Sequence, residues 1–93
     1  MPIYVIGAKL TDRAAKDDEG FRREVEAAGR VREKHGGRLL GAYVTFGRYD
    51  LVFISEYPDQ TAALASVETN LSKGLFTLEV SEAMPLEEFL KTK

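Results

Sequence analysis

The feature that most constrains this chain is that its best strand segments are apolar on both sides. Successive side chains of a strand point to opposite faces, so a strand with one face in water alternates apolar and polar residues. Ile3-Tyr4-Val5-Ile6 and Leu51-Val52-Phe53-Ile54 do not alternate. The even-numbered residues (Tyr4, Ile6, Val52, Ile54) and the odd-numbered ones (Ile3, Val5, Leu51, Phe53) are equally apolar. A third segment, Leu39 to Phe46, sets Leu40, Ala42, Val44 and Phe46 against Leu39, Gly41, Tyr43 and Thr45. A sheet built from such strands has to be covered on two faces.

The remaining segments supply cover for one. After Ile3 to Ile6 and a stop at Gly7, a polar loop runs from Lys9 to Gly20. Thr11 or Asp12 in it can cap a single helical turn over Arg13-Ala14-Ala15-Lys16. The spacing of Phe21, Val25, Ala28 and Val31 predicts a helix over Glu19 to His35, ended by Gly36-Gly37. Strands follow over Leu39 to Phe46 and Tyr49 to Tyr57. Gly47-Arg48 between them reads as a two-residue hairpin loop with glycine first, the type II′ preference. Asp59 or Thr61 caps a second helix to about Lys73 with Ala63, Leu64, Val67 and Leu71 on one stripe. A fourth strand runs from Leu75 to Ala83, and Pro85 opens a short helix from Leu86 to Leu90. The order β-α-β-β-α-β is that of a ferredoxin-like α+β fold: a four-stranded antiparallel sheet, strands one and three central, both helices on one face.

In 93 residues there is one domain and nothing further to cover the second face. An apolar sheet face left in water exceeds what a soluble monomer tolerates. A second copy of the chain is therefore expected to pack on it, giving a homodimer or higher assembly with an eight-stranded, barrel-like core. The other way to cover the face is to fold Met84 to Leu90 across it.

Composition narrows function by exclusion. With 13 basic and 15 acidic residues the net charge is −2, which argues against a nucleic-acid partner. There is no cysteine and one histidine, so neither a disulfide, a thiolate zinc site nor a multi-histidine metal site is expected. No apolar run reaches the length of a membrane span and Met1-Pro2-Ile3-Tyr4 has no basic leader, so a cytoplasmic protein without a membrane partner is expected. No Gly-x-Ser-x-Gly elbow or phosphate-cradling Gly-Lys loop occurs, and no cofactor is expected.

The segment Thr45-Phe46-Gly47-Arg48-Tyr49-Asp50-Leu51-Val52 carries a pattern of its own. With Pro2-Ile3-Tyr4-Val5, Lys9-Leu10-Thr11-Asp12, His35-Gly36-Gly37 and Tyr57-Pro58-Asp59, it resembles the GYD domain family over nearly the whole chain. Those small prokaryotic proteins are named for a Gly-x-Tyr-Asp motif, here Gly47, Tyr49 and Asp50. The resemblance implies a subunit of the dimeric α+β barrel type and no established activity. A similar turn in the effector-sensing domains of feast/famine transcription regulators implies a small-molecule site between subunits near these three residues.

The candidate ligand-binding residues are Tyr43, Tyr49 and Asp50. A tyrosine ring offers an apolar body and a polar tip, suited to a barrel rim, and a carboxylate beside it can hold turn amides or a ligand amine. Each also has a purely structural reading, as packing rings and a hairpin clamp. Tyr4 reads as a second ring able to line a pocket, and Arg48 as a solvated tip within reach of a neighbour. His35 is the one group suited to general-base chemistry at neutral pH, and its place at a helix end favours a capping role. The reading is a homo-oligomeric ligand-binding or sensory module. The alternatives are a cofactor-independent enzyme of the same barrel shape and a structural, partner-binding module.

Overall fold

The computed structural model describes residues 1–93. Its strands are β1 (Ile3–Leu10), β2 (Arg38–Val44), β3 (Leu51–Glu56) and β4 (Phe76–Ala83). Its helices are α1 (Asp18–Lys34), α2 (Gln60–Ser72) and α3 (Leu86–Lys91). The sheet order is β2-β3-β1-β4 with every pair antiparallel, so β1 and β3 are central as expected for the ferredoxin-like arrangement.

Local chemistry fixes the helix ends. The Asp17 carboxylate accepts from Gly20 N at 3.1 Å, and Asp18 and Glu19 in the first turn complement the helix dipole. At the other end His35 donates from its backbone N–H and, at 2.9 Å, its Nδ1 to the Val31 carbonyl, and Gly36 reverses the chain at φ +79°. Asp59, not Thr61, caps α2 by accepting from Ala62 N at 2.8 Å. After Lys9 the chain makes one hydrogen-bonded turn, closed by Ala14 N to the Thr11 carbonyl at 3.1 Å, with Thr11 Oγ1 accepting from Arg13 N and donating to the Gly74 carbonyl.

The register sorts the two apolar sets. Tyr4, Ile6 and Ala8 stand opposite Ser55, Phe53 and Leu51 on β3, and opposite Glu82, Val80 and Leu78 on β4. This is the face beneath α1 and α2. Tyr4, Ile6, Tyr57, Ala63 and Val67 form one buried group, and Ala8, Leu51 and Phe76 another on which Phe21 and Val25 of α1 pack. Tyr4 meets Tyr57 edge to face, centroids 6.0 Å apart at 68°, and the Tyr57 hydroxyl pairs with Ser66 Oγ at 2.9 Å. Ser66 thus takes a place on the core stripe of α2, while Leu64 and Leu71, expected there, are exposed.

Two further expectations are corrected. The β2–β3 connection spans residues 45–50 and is closed by Thr45 N to Asp50 O at 3.0 Å, so it is not a two-residue loop. Gly47 does not take the positive φ of a type II′ turn: the loop is longer, and Asp50, while still accepting from Thr45 N, also donates to the Ala8 carbonyl of β1. The C-terminal segment does not close over the sheet: α3 has no buried residue, and Leu86, Phe89 and Leu90 are exposed. No helix is long and apolar enough to cross a membrane.

Burial first, then the charge and hydrogen bond of Glu82 at 3.3 Å, raise the Tyr4 hydroxyl above its ordinary 10.0. The unfolded chain therefore ionises first, and the stabilisation from neutral Tyr4 is complete below pH 10 and lost as the pH climbs past it. Tyr4→Phe is expected to flatten the fall in unfolding free energy above pH 10, measured by urea titration, and to leave the profile near neutrality unchanged.

Candidate functional site

The other side of the sheet carries no helix. Its residues fall in three rows across the strands, read in the order β2, β3, β1, β4. One row is Tyr43, Val52, Gly7 and Glu79; the next is Gly41, Ile54, Val5 and Ser81; the third is Arg38, Glu56, Ile3 and Ala83. An apolar band of Ile3, Val5, Val52 and Ile54 thus runs down the two central strands. It is bordered by the Arg38–Glu56 ion pair (2.7 Å) on one side and by Glu79 and Ser81 on the other.

Two glycines interrupt this surface and two tyrosine rings fill the gaps. A Cβ at Gly7 would lie 2.6 Å from Tyr49 Cε1, so the Tyr49 ring lies directly on the β1 backbone. A Cβ at Gly41 would lie 3.0 Å from Tyr43 Cε2, and the Tyr43 ring leans over that glycine. The same row therefore presents Tyr43, Val52 and the Tyr49 ring side by side.

Asp50 holds Tyr49 in place. Its N–H donates to the Ala8 carbonyl at 2.9 Å, its carboxylate accepts from Leu10 N at 2.8 Å, and its carbonyl accepts from Thr45 N. The Thr45 hydroxyl donates to the Tyr49 carbonyl. The chain between β2 and β3 is in effect stitched to the end of β1. Arg48 is solvated, as expected, and also lies over the Tyr49 ring (5.6 Å to the centroid) and pairs with Glu79 at 2.9 Å. Hydrogen bonding to Glu79, then partial burial, raise the Tyr49 hydroxyl above its ordinary value, with Arg48 opposing. Lys9, Thr77 and Leu78 complete a shallow hollow of about 60 Å³ beside the ring.

Of the three predicted residues, Tyr43 and Tyr49 share the open face, and Asp50 works through its backbone and carboxylate bonds at the end of β1. Tyr4 lies beneath the helices, away from them. His35 is bonded to Val31 at the end of α1. Sequence reasoning missed a second, interior place: a cavity of about 40 Å³ between helices and sheet, with Arg32, Ser55 and Asn70 among its lining. The available signal was Ser55 breaking the apolar run of β3, and Ser66 and Asn70 following Ala63 at helical spacings of three and seven.

The Gly7–Tyr49 contact is directly testable. Gly7→Ala is expected to destabilise the fold by about 1–3 kcal/mol through overpacking. In a Tyr49→Ala background the same change should cost much less, because the clashing ring is gone; a double-mutant cycle by chemical denaturation reads the coupling.

No curated protein matches the sequence significantly. Solved structures of similar fold include protein Atu4242 from Agrobacterium tumefaciens, at 16% identity and TM-score 0.58, covering 91% of this chain and 93% of that one. Another is the structural-genomics protein YJCS, at 14% identity and TM-score 0.56, covering 91% and 99%. A third is a hypothetical Arabidopsis thaliana protein, at 15% identity and TM-score 0.55, covering 90% and 87%. These likenesses concern the fold. The GYD domain, a family of uncharacterised function, matches residues 4–92, and the chain belongs to that family.

Proposed function

We propose that this protein is a small homo-oligomeric binding module whose subunits associate through the open sheet faces, with Tyr43 and Tyr49 at the contact. The observation that carries this reading is the band of Ile3, Val5, Val52 and Ile54 on the two central strands, with no element of the chain over it. Only 13 of 93 residues are buried, so the isolated subunit has a thin core that association would extend. A stable interface buries about 800 Å² per partner, roughly an eighth of this chain's surface of 6368 Å². The open face together with the 99% exposed Phe46 is suited to supply it. In this arrangement the Tyr43 and Tyr49 rings border any small molecule held between subunits, and Asp50 keeps Tyr49 flat on Gly7.

Binding rather than catalysis is supported by where the proton-transfer groups go. His35 Nδ1 is engaged by the Val31 carbonyl and the Asp50 carboxylate by Leu10 N. The net charge of −2 and the absence of cysteine fit a cytoplasmic protein that needs neither nucleic acid nor a membrane.

Sedimentation equilibrium at micromolar concentration is expected to give at least twice the subunit mass of 10.4 kDa. Ile54→Lys, which puts a charge in the middle of the band, is expected to give the mass of one subunit with the circular dichroism spectrum retained. A wild-type mass of 10.4 kDa would overturn the reading.

A further inference from the structure

We propose that the interior cavity between the helices and the sheet is a binding site for a small carboxylate, of the size of formate or acetate. The site lies on the opposite side of the sheet from the open face, and the proposal is independent of the association described above.

The cavity's lining is apolar over most of its extent, with Ile6, Phe53 and Leu78 from the sheet and Val67 from α2. Three polar groups face it without partners. Arg32 Nε, Ser55 Oγ and Asn70 Oδ1 are all buried and make no hydrogen bond. Ser55 is entirely buried, at 0% exposure. Unpaired buried polar atoms are costly, and three around one cavity are rarely accidental. The other two hydroxyls present, Tyr57 and Ser66, satisfy each other.

Arg32 decides the charge of the ligand. The two ion pairs of the protein are Arg38–Glu56 and Arg48–Glu79, so Arg32 has no acidic partner. Arg32 is half-buried, and its buried, unbonded Nε is the donor left over for an anion in the cavity it lines. Its position is built in by two glycines. A Cβ at Gly37 would lie 2.6 Å from Arg32 Cγ, and a Cβ at Gly29 would lie 3.1 Å from its Nη2. Gly29 is interior to α1, where glycine is unfavourable by about 0.5–1 kcal/mol relative to alanine, and its place here is to admit the guanidinium. Ser55 supplies an O–H donor, and a half-turn of the Asn70 amide presents its N–H₂ in place of Oδ1. Three donors thus line the one cavity that would hold the carboxylate.

Size decides the rest. A volume of about 40 Å³ accommodates about three water molecules, or one anion of three or four heavy atoms with its methyl group among Ile6, Phe53 and Leu78. Longer chains do not fit.

The test is a titration of the full chain with sodium formate, acetate and butyrate, with sodium chloride and neutral acetamide as controls, followed by amide chemical shifts and melting temperature. Formate and acetate are expected to shift the Ser55 and Asn70 amides saturably and to raise the melting temperature; chloride, acetamide and butyrate are not. Arg32→Gln is expected to weaken acetate at least about tenfold, the effect of one charge-assisted hydrogen bond. Ser55→Ala separates binding from folding: it removes an unpaired buried hydroxyl, so the unliganded protein should melt no lower, while acetate binding falls severalfold. Equal effects of chloride or acetamide, shifts that never saturate, or unchanged acetate affinity in both variants would mean that the cavity holds water only and would overturn the proposal. A single-subunit mass in the sedimentation experiment would leave the carboxylate result intact, so the two failures are distinguishable.

Discussion

Burying a strand that is apolar on both sides requires two covering layers, and the rest of this structure is arranged around that requirement. The antiparallel register pairs Tyr4, Ile6 and Ala8 with Ser55, Phe53 and Leu51 and turns them toward the helices. The same register forces Ile3, Val5, Val52 and Ile54 to the other side, because residues one apart in a strand cannot share a face. The two long helices lie on the first face, and α3, from Leu86 to Lys91, buries no residue against the second. The second face is left with no element of the chain over it.

The Gly-x-Tyr-Asp segment belongs to this same problem. The Tyr49 ring lies on Gly7 of the central strand, and Asp50 fastens the connection to Ala8 and Leu10. The partnership crosses the sequence: the glycine that matters sterically is Gly7, while Gly47 of the motif has no atom near its missing side chain. A tyrosine over a glycine flattens the sheet face at a place where a side chain would otherwise leave a gap. Tyr43 over Gly41 repeats the device on β2.

Much of this was legible in the residues. Runs of β-forming residues located the four strands, although β1 continues through Gly7, its expected stop, to Leu10; the apolar stripe located α1, and Gly36 and Asp59 marked helix ends by capping chemistry that acts over a few residues. The hairpin was misread because Gly47-Arg48 has the local look of a tight turn, and the bonds that open it come from β1, some forty residues away in sequence. The stripe of α2 was misplaced for a related reason. Leu64 is more apolar than Ser66, but Ser66 has the buried Tyr57 hydroxyl as its partner, and no local rule anticipates that pairing. The interior cavity was invisible in the sequence because its three polar groups come from α1, β3 and α2, and only the fold brings them together.

The most direct test of the central claim is an isotope-filtered nuclear Overhauser experiment on a mixture of labelled and unlabelled chains. The account predicts intermolecular cross-peaks from the methyl groups of Val5, Val52 and Ile54 to protons of the partner, and none from Ile6 or Val67 beneath the helices. Methyl groups of the open face that show contacts only to water and to their own chain would contradict it.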